Sequence, residues 1–435
     1  MEKNNFRKIA TITLFESAVQ WYCFLLYGTA AGTVFHKVFF SQTGNGTTAL
    51  ILSYMSFAIG YIAGPFGAVF FGHIGDRKGR KVTMYASLLM MGISTSIIGI
   101  LPPAASAGVG VVIVLQLMRL AQCFGRGGTW GGGILMAYEN VPENKRSFYA
   151  AIPQIGLPIG FGLSSILIAV PTLLLPEDIF FTWGWRIPFL AAIILTVIVI
   201  RQKGEMMETE DYKKAQAKLE AEEAEGKKHK VGFIPMVKGY WKTLLLGCGT
   251  RWVDGTFYNI FIVWILSYCI NWLGMPLIQT YIITIIAYIF KIPFTLFGGW
   301  CAQKLGNTRT FVIGALASAV LSIPTLKVIE LSKGNLAITI IGIVLGWSIA
   351  YNLIWAVISS LWSSYFETEV RYSGISFVYH VPSFLVAGMV PTICTLLINY
   401  GKGDTIYVGI YSTVVALISA ACALALKARH DRGEK

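Results

Sequence analysis

The stretch Gly72-His-Ile-Gly-Asp-Arg-Lys-Gly-Arg-Lys81 lies between two long apolar runs and decides how the rest of the chain is read. It packs three glycines, one carboxylate (Asp76) and four cations (Arg77, Lys78, Arg80, Lys81) into ten residues. A loop this short and this basic at the end of a membrane span belongs on the cytoplasmic side. The whole chain fits that setting. Its 435 residues are 55% hydrophobic and only 13% charged, with a mean hydropathy of +0.63. No soluble globule of this length is so apolar, whereas helices crossing a bilayer each need about 20 apolar residues.

Reading outward gives twelve spans at about 9–38, 48–71, 82–101, 109–138, 148–175, 185–200, 243–271, 277–300, 310–329, 335–363, 373–399 and 404–427. An even number places both termini on one side. The Lys and Arg clusters at 77–81, 145–146, 201–242, 304–309 and 427–435 share that side. The opposite loops hold only Lys37, Arg186, Lys327, Lys333 and Lys402. Both termini are therefore expected in the cytoplasm. The net charge of +13 is a positive-inside bias and not a nucleic-acid patch, since the cations sit in short loops without interleaved aromatics. The seven cysteines lie in or beside apolar runs with no C-x-x-C spacing, so packing is expected, and neither a disulfide framework nor a metal site. The N-terminal apolar run is too long for a cleaved signal peptide.

The chain divides into a six-span half at 1–200, a polar linker at 201–242 and a second six-span half at 243–435. The linker run Asp211-Tyr-Lys-Lys-Ala-Gln-Ala-Lys-Leu-Glu-Ala-Glu-Glu mixes strong helix formers with opposite charges near i,i+4 spacing, which predicts a solvated surface helix. The halves look repeated. Gly299-Trp-Cys-Ala-Gln-Lys-Leu-Gly-Asn-Thr-Arg309 follows span eight as Gly72–Lys81 follows span two, with Gln303 in the place of Asp76 and Asn307 in that of Arg80. Glu139…Arg146 after span four is echoed by Glu367…Arg371 after span ten. Two parallel six-helix halves around a midplane site is the expected arrangement.

The pattern G-x-x-x-D-R-x-G-R-[RK] resembles the loop between helices two and three of major facilitator superfamily transporters. Gln20-Trp-Tyr-Cys-Phe-Leu-Leu-Tyr-Gly28, Arg119-Leu-Ala-Gln122, Gly127-Gly-Thr-Trp-Gly-Gly132, Trp183-Gly-Trp-Arg-Ile-Pro-Phe189 and Glu369-Val-Arg-Tyr-Ser-Gly374 narrow the resemblance to its metabolite:proton symporters, over nearly the whole chain. That resemblance implies an all-α fold moving small molecules by alternating access: organic acids, shikimate-like compounds, or betaine and proline. It also implies that Asp76, Arg77 and Arg80 join Glu139, Arg146 and Arg371 in a cytoplasmic charge network that latches the halves in the outward-facing state. The departures are informative. Family members usually show E-W-Y-D in span one, where this chain has Gln20-Trp-Tyr-Cys23, and G-G-E-W-G-G in span four, where it has Thr129. Three positions that are usually acidic are neutral here.

Ionisable residues inside spans are costly and so point to function. Arg119 and Arg126 stand seven apart, two turns along one face of span four. Arg119 with Gln122 resembles the superfamily motif R-x-x-Q, linked to proton transfer. Arg126 lies three residues before Thr129 and four before Trp130. A desolvated guanidinium there suits a carboxylate or a sulfonate, unless it pairs with an internal Glu. Arg251 and Asp254 lie at i,i+3 in span seven. Asp254 reads either as the proton-carrying acid or as half of a structural pair. Glu16, one turn before Gln20, is a second candidate acid. Lys291 before Pro293 reads as a cavity-lining cation. His380 reads as a titrating or a packing histidine. Tyr22, Trp130 and Tyr258 complete the binding candidates with Gln20 and Thr129.

Four intramembrane cations (Arg119, Arg126, Arg251, Lys291) against two acids (Glu16, Asp254) predict a carrier of a small organic anion, with proton coupling as one mode. The alternatives are a betaine or proline symporter, an exchanger or uniporter without proton coupling, and a membrane ligand sensor. No phosphate loop, nucleophile elbow or histidine pair is present, so an enzyme, a cofactor, a metal and nucleic acid are not expected. A monomer in a bacterial cytoplasmic membrane is.

Overall fold

The computed structural model describes residues 3–42, 46–203, 211–217 and 233–434, and among these it contains helices and no strand. Among the described residues, twelve principal helices carry the fold: α1 Lys3–Ala30, α2 Gly46–Lys78, α3 Arg80–Ile100, α4 Gly110–Glu139, α5 Gly156–Leu174, α6 Arg186–Lys203, α7 Phe233–Tyr258, α8 Leu277–Leu305, α9 Asn307–Leu331, α10 Asn352–Ser363, α11 Arg371–His380 and α12 Ile406–Asp431. Of these, α10 and α11 have only 12 and 10 residues, and shorter helical segments extend them to span length. Among the described residues, eleven segments are long and apolar enough to cross a membrane. The helix outside that set is α4. It is 30 residues long, but glycines and the polar residues Gln116, Arg119, Gln122, Arg126 and Glu139 dilute its hydropathy. Many large apolar side chains, such as Phe66, Leu173, Val320 and Leu385, remain exposed, as expected where the surrounding solvent is lipid.

The expected spans are less regular than their apolar runs suggest. Among the described residues, π-helical segments interrupt four of them, at Ala31–Phe35, Asn259–Trp264, Val344–Ala350 and Phe384–Gly388, and a fifth, Phe180–Gly184, directly precedes the sixth span. Such bulges release backbone from the regular ladder and often mark functional sites. Hydropathy cannot report them. The fifth expected span also breaks, at Pro153, into Arg146–Ala151, Pro153–Ile155 and α5.

The chain forms two compact units, Met1–Asn140 with Ile155–Phe233 and Thr368–Ser376, and Val141–Gln154 with Ile234–Glu367 and Phe377–Lys435. In the first, α4 packs against α2 and α3, while α1 packs against α5, α4 and α6. Glycines permit this. A Cβ on Gly125 would lie 2.8 Å from the Ser87 carbonyl oxygen, and one on Gly127 2.6 Å from that of Gly64, so α4 needs bare backbone to lie so close to its neighbours. In the second unit, α9 packs against α12 and α10, and α8 against α10. One-residue turns join α2 to α3 and α8 to α9, at Gly79 (φ 101°, ψ 159°) and Gly306 (φ 89°, ψ 153°). A left-handed φ of this kind favours glycine. The repeat visible in the sequence thus recurs as one turn geometry at corresponding positions.

Of the linker, 211–217 is helical; the remainder of the expected surface helix, up to Glu223, lies outside the described residues.

Candidate functional site

In the first unit, the α1–α4 contact carries the first cluster. Arg119 is fully buried, with its guanidinium over the rings of Phe24 (4.8 Å), Tyr27 (4.5 Å) and Phe57 (4.5 Å). It donates to the Phe57 carbonyl oxygen at 3.3 and 3.4 Å and to Gln122 Oε1. Gln122 Nε2 donates onward to the Cys23 carbonyl oxygen (2.9 Å) and Thr95 Oγ1 (2.7 Å). Arg119 is therefore a cation whose donors are engaged and whose charge is caged by three rings.

Arg126, two turns on, differs. It is 9% exposed, and its guanidinium lies over Phe24 (4.0 Å) and Trp21 (4.9 Å). Among the described residues no carboxylate pairs with it and none of its donors finds an acceptor; its Nε is buried and unpartnered. Two aromatic faces offset about 2–4 kcal/mol when desolvated. They hold the plane of the guanidinium, whose five N–H donors have no acceptor among the described residues. Gln20 is equally notable: 1% exposed, with neither amide atom hydrogen-bonded. Thr129 is buried and donates to the Arg126 carbonyl oxygen (3.2 Å) and Met91 Sδ (3.4 Å). Trp130 is buried beside it, and Glu16 rests its carboxylate against Gly133. The Tyr22 hydroxyl donates to the Pro188 carbonyl oxygen at 2.5 Å, which ties α1 to α6.

The second unit carries the other cluster. Asp254 accepts from Arg251 Nη1 on one oxygen and from the Tyr351 hydroxyl on the other. Arg251 also lies over the Tyr379 ring at 4.4 Å and donates to the Tyr379 carbonyl oxygen (3.4 Å). Lys291 is fully buried on α8. Its ammonium donates to Asn352 Oδ1 at 3.0 Å and lies over the rings of Trp347 (4.5 Å), Tyr351 (4.5 Å) and Trp355 (5.3 Å). Tyr351 therefore touches Asp254 with its hydroxyl and Lys291 with its ring. His380 is buried with its ring edge-on to Tyr379 at 4.9 Å. Tyr258 is half-buried at the end of α7, where the π segment Asn259–Trp264 begins. Asn352 was not singled out in the sequence. An amide in the middle of an apolar span deserves the same attention as a charge.

The basic loop is built into the first unit. Asp76 is 3% exposed and caps the N-terminus of α11, accepting from the backbone N–H of Tyr372 (3.1 Å) and Ser373 (3.0 Å). Arg80, fully buried, donates to Asp76 Oδ1 (3.4 Å), Glu139 Oε2 (3.3 Å), the Gly75 carbonyl oxygen (2.7 Å) and the Thr368 carbonyl oxygen (2.6 Å). Arg371 donates to the other Glu139 oxygen at 2.8 Å. The linker helix joins in. Tyr212 lays its ring on Arg80 (4.9 Å) and donates to the Arg77 carbonyl oxygen (2.7 Å), while Asp211 lies 3.7 Å from Arg371. Arg146 belongs to the second unit, where it donates to the Val141 carbonyl oxygen (3.4 Å) and stands 4.0 Å from Glu143. Tyr372 and Ser373 serve Asp76 through their backbone N–H groups, a role that the motif Glu369–Gly374 does not announce, and the Tyr372 hydroxyl donates to the Gly128 carbonyl oxygen (2.5 Å).

Comparison with known proteins agrees with this architecture. Residues 23–391 match the family model described as Major Facilitator Superfamily. An inner membrane metabolite transport protein of Escherichia coli (strain K12) is 33% identical, over 98% of this chain and 96% of its own length. The shikimate transporter of the same organism is 31% identical over 97% and 94%, and a proline/betaine transporter of Salmonella typhimurium 27% identical over 99% and 85%. A solved structure of the proton:xylose symporter XylE bound to 6-bromo-6-deoxy-D-glucose shares the fold, with a TM-score of 0.77 at 16% identity, covering 98% of this chain and 95% of that one. The chain is a multi-pass membrane protein and belongs to the Major Facilitator Superfamily.

Proposed function

We propose that the chain carries a small organic anion, a carboxylate or sulfonate, across a bacterial cytoplasmic membrane by alternating access. One observation carries the reading: Arg126, a nearly buried guanidinium with no acceptor for its donors among the described residues. Burying an ion costs several kcal/mol unless a counter-charge and hydrogen bonds repay it. A bidentate carboxylate supplies both. The other intramembrane cations are already engaged: Arg119 by three rings and Gln122, Arg251 by Asp254, Lys291 by Asn352 and three rings. Arg126 alone among these four is left for cargo.

The proline/betaine relative supports a zwitterion as the second reading. A quaternary ammonium is held by aromatic faces, and at this site the faces of Trp21 and Phe24 already hold Arg126. That favours the anion. As one mode we assign proton coupling to Asp254, because protonation there would break its pair with Arg251 and free a second cation. Uptake of labelled carboxylates and sulfonates into proteoliposomes, wild type against Arg126→Ala, tests the reading. Loss of one partner of a buried charge pair costs about 2–5 kcal/mol, so uptake at sub-saturating substrate should fall at least about 30-fold. Equal uptake by both proteins would remove Arg126 from the site.

A further inference from the structure

The amide of Gln20 has no place in the fold's own hydrogen bonding. It is 1% exposed, and neither Nε2 nor Oε1 has a partner among the described residues. Buried polar groups are nearly always satisfied, and an orphan calls for an explanation. Its surroundings follow from the register of α1 against α4. Gln122 Nε2 meets the Cys23 carbonyl oxygen, Arg126 lies on Phe24, and Glu16 rests against Gly133. From the Arg126 level to the Gly133 level the α1 partner falls from Phe24 to Glu16, so the two helices run antiparallel. Glu16, Gln20 and Phe24 share one stripe at four-residue spacing. Gln20 therefore stands against the turn around Thr129, between the Arg126 level and the Gly133 level. Thr129 does not serve it, since its hydroxyl donates to the Arg126 carbonyl oxygen and to Met91.

We propose that Gln20 reads a hydroxyl of the cargo, so that the acid held at Arg126 is a hydroxy acid. The inference rests on the anion reading of Arg126 and adds the neighbouring group. A primary amide offers two donors and one acceptor oxygen. A carboxylate alone would serve the donors and leave Oε1 empty. An ammonium would serve only the oxygen, and a trimethylammonium neither. A hydroxyl both donates and accepts, so it fits each side of the amide. The rings of Trp21 and Phe24 that hold Arg126 line the same helix with apolar surface, which suits a carbon skeleton lying between the two polar contacts. A site built to hydrogen-bond a hydroxyl rejects the analogue lacking it, because the site's own groups are then left unpaired.

The test uses purified full-length carrier and matched pairs of acids: shikimate against cyclohex-1-enecarboxylate, gluconate against hexanoate, lactate against propionate. Affinity is read by thermal shift and by competition in counterflow. In the wild type the hydroxylated member of at least one pair should bind on the order of 100-fold more tightly than its deoxy partner. Gln20→Met, close in shape without the amide, should bring that ratio to near one by weakening the hydroxy acid and leaving the deoxy acid unchanged. Equal binding of both members by the wild type overturns the role of Gln20 and leaves Arg126 standing, because Arg126→Ala would then weaken both alike. If Gln20→Met weakens both members equally, the residue is merely structural and the inference fails. Absence of binding by every acid overturns the anion reading, and this inference with it. The wild-type comparison decides even if the variant does not fold.

Discussion

Replacing Asp76 by Asn tests what the basic loop does. The carboxylate is almost fully buried and receives three donors: the backbone N–H groups of Tyr372 and Ser373 and Nη1 of Arg80. An asparagine keeps one oxygen for one of the two N–H groups and turns an NH₂ toward the other. One charge-assisted hydrogen bond is lost, worth about 1.5–3 kcal/mol, together with the favourable anion at a helix N-terminus, about 1 kcal/mol. Removing a buried charge recovers part of this as relieved desolvation. A net loss of about 2–3 kcal/mol remains, or roughly 30- to 150-fold in the opening of the start of α11. Hydrogen exchange followed by mass spectrometry reads it directly. Peptides covering Thr368–Ser376 should exchange faster by that factor in Asp76→Asn, while peptides from α12 should not change. Transport should slow. Ligand affinity should stay within the ~0.5 kcal/mol typical of substitutions remote from the altered contact. Unchanged exchange at Tyr372 and Ser373, or a loss of affinity as large as the loss of transport, would refute the reasoning.

Asp254→Asn keeps the shape of the Arg251–Asp254–Tyr351 contact but cannot take up a proton; uptake should become insensitive to a protonophore while counterflow persists, and protonophore-sensitive uptake by the variant would clear Asp254 of coupling. Tyr212→Phe removes the hydrogen bond to Arg77 and keeps the ring on Arg80, whereas Tyr212→Ala removes both. The Ala variant alone should lose the cation–π share, about 1 kcal/mol, seen as faster exchange at the start of α3; identical behaviour of the two would show that the stacking contributes nothing. Asp404 is held below the usual carboxylate range, chiefly by its hydrogen bond from the Lys327 ammonium (2.7 Å) and next by the Ile406 N–H. A depressed acid stabilises the folded state above its unfolded pKa, about 3.9, and loses that contribution as pH falls through the lower folded value. Asp404→Asn should therefore lower Tm at pH 6 and have less effect below pH ~3.5; an equal loss at both pH values would contradict the ion pair's role.

Much of the fold was legible because lipid leaves few choices. Twelve apolar runs, the basic loop at 72–81 and its echo at 299–309 led to twelve principal helices and two matching glycine turns, since hydropathy and a required left-handed φ are both written in residue type. The π segments were not legible, because they depend on how neighbouring helices take up displaced carbonyls. The candidate sites divide the same way. Charges such as Arg126 and Asp254 announce themselves in apolar runs. Their availability does not: Arg119 and Arg126 share helix, face and chemistry, and only packing shows one engaged with Gln122 and Phe57 and the other without an acceptor among the described residues. The partners of Asp76 are backbone N–H groups nearly 300 residues away in the chain, beyond any local pattern.

The most direct measurement compares a carboxylate with its uncharged primary amide, a near-isostere, by calorimetric titration of wild-type protein and Arg126→Ala. Arg126 as the anion's counter-charge predicts that the wild type binds the acid at least about 30-fold more tightly than the amide, and that Arg126→Ala abolishes the difference. Equal affinity of acid and amide for the wild type, or an unchanged preference in Arg126→Ala, would contradict it.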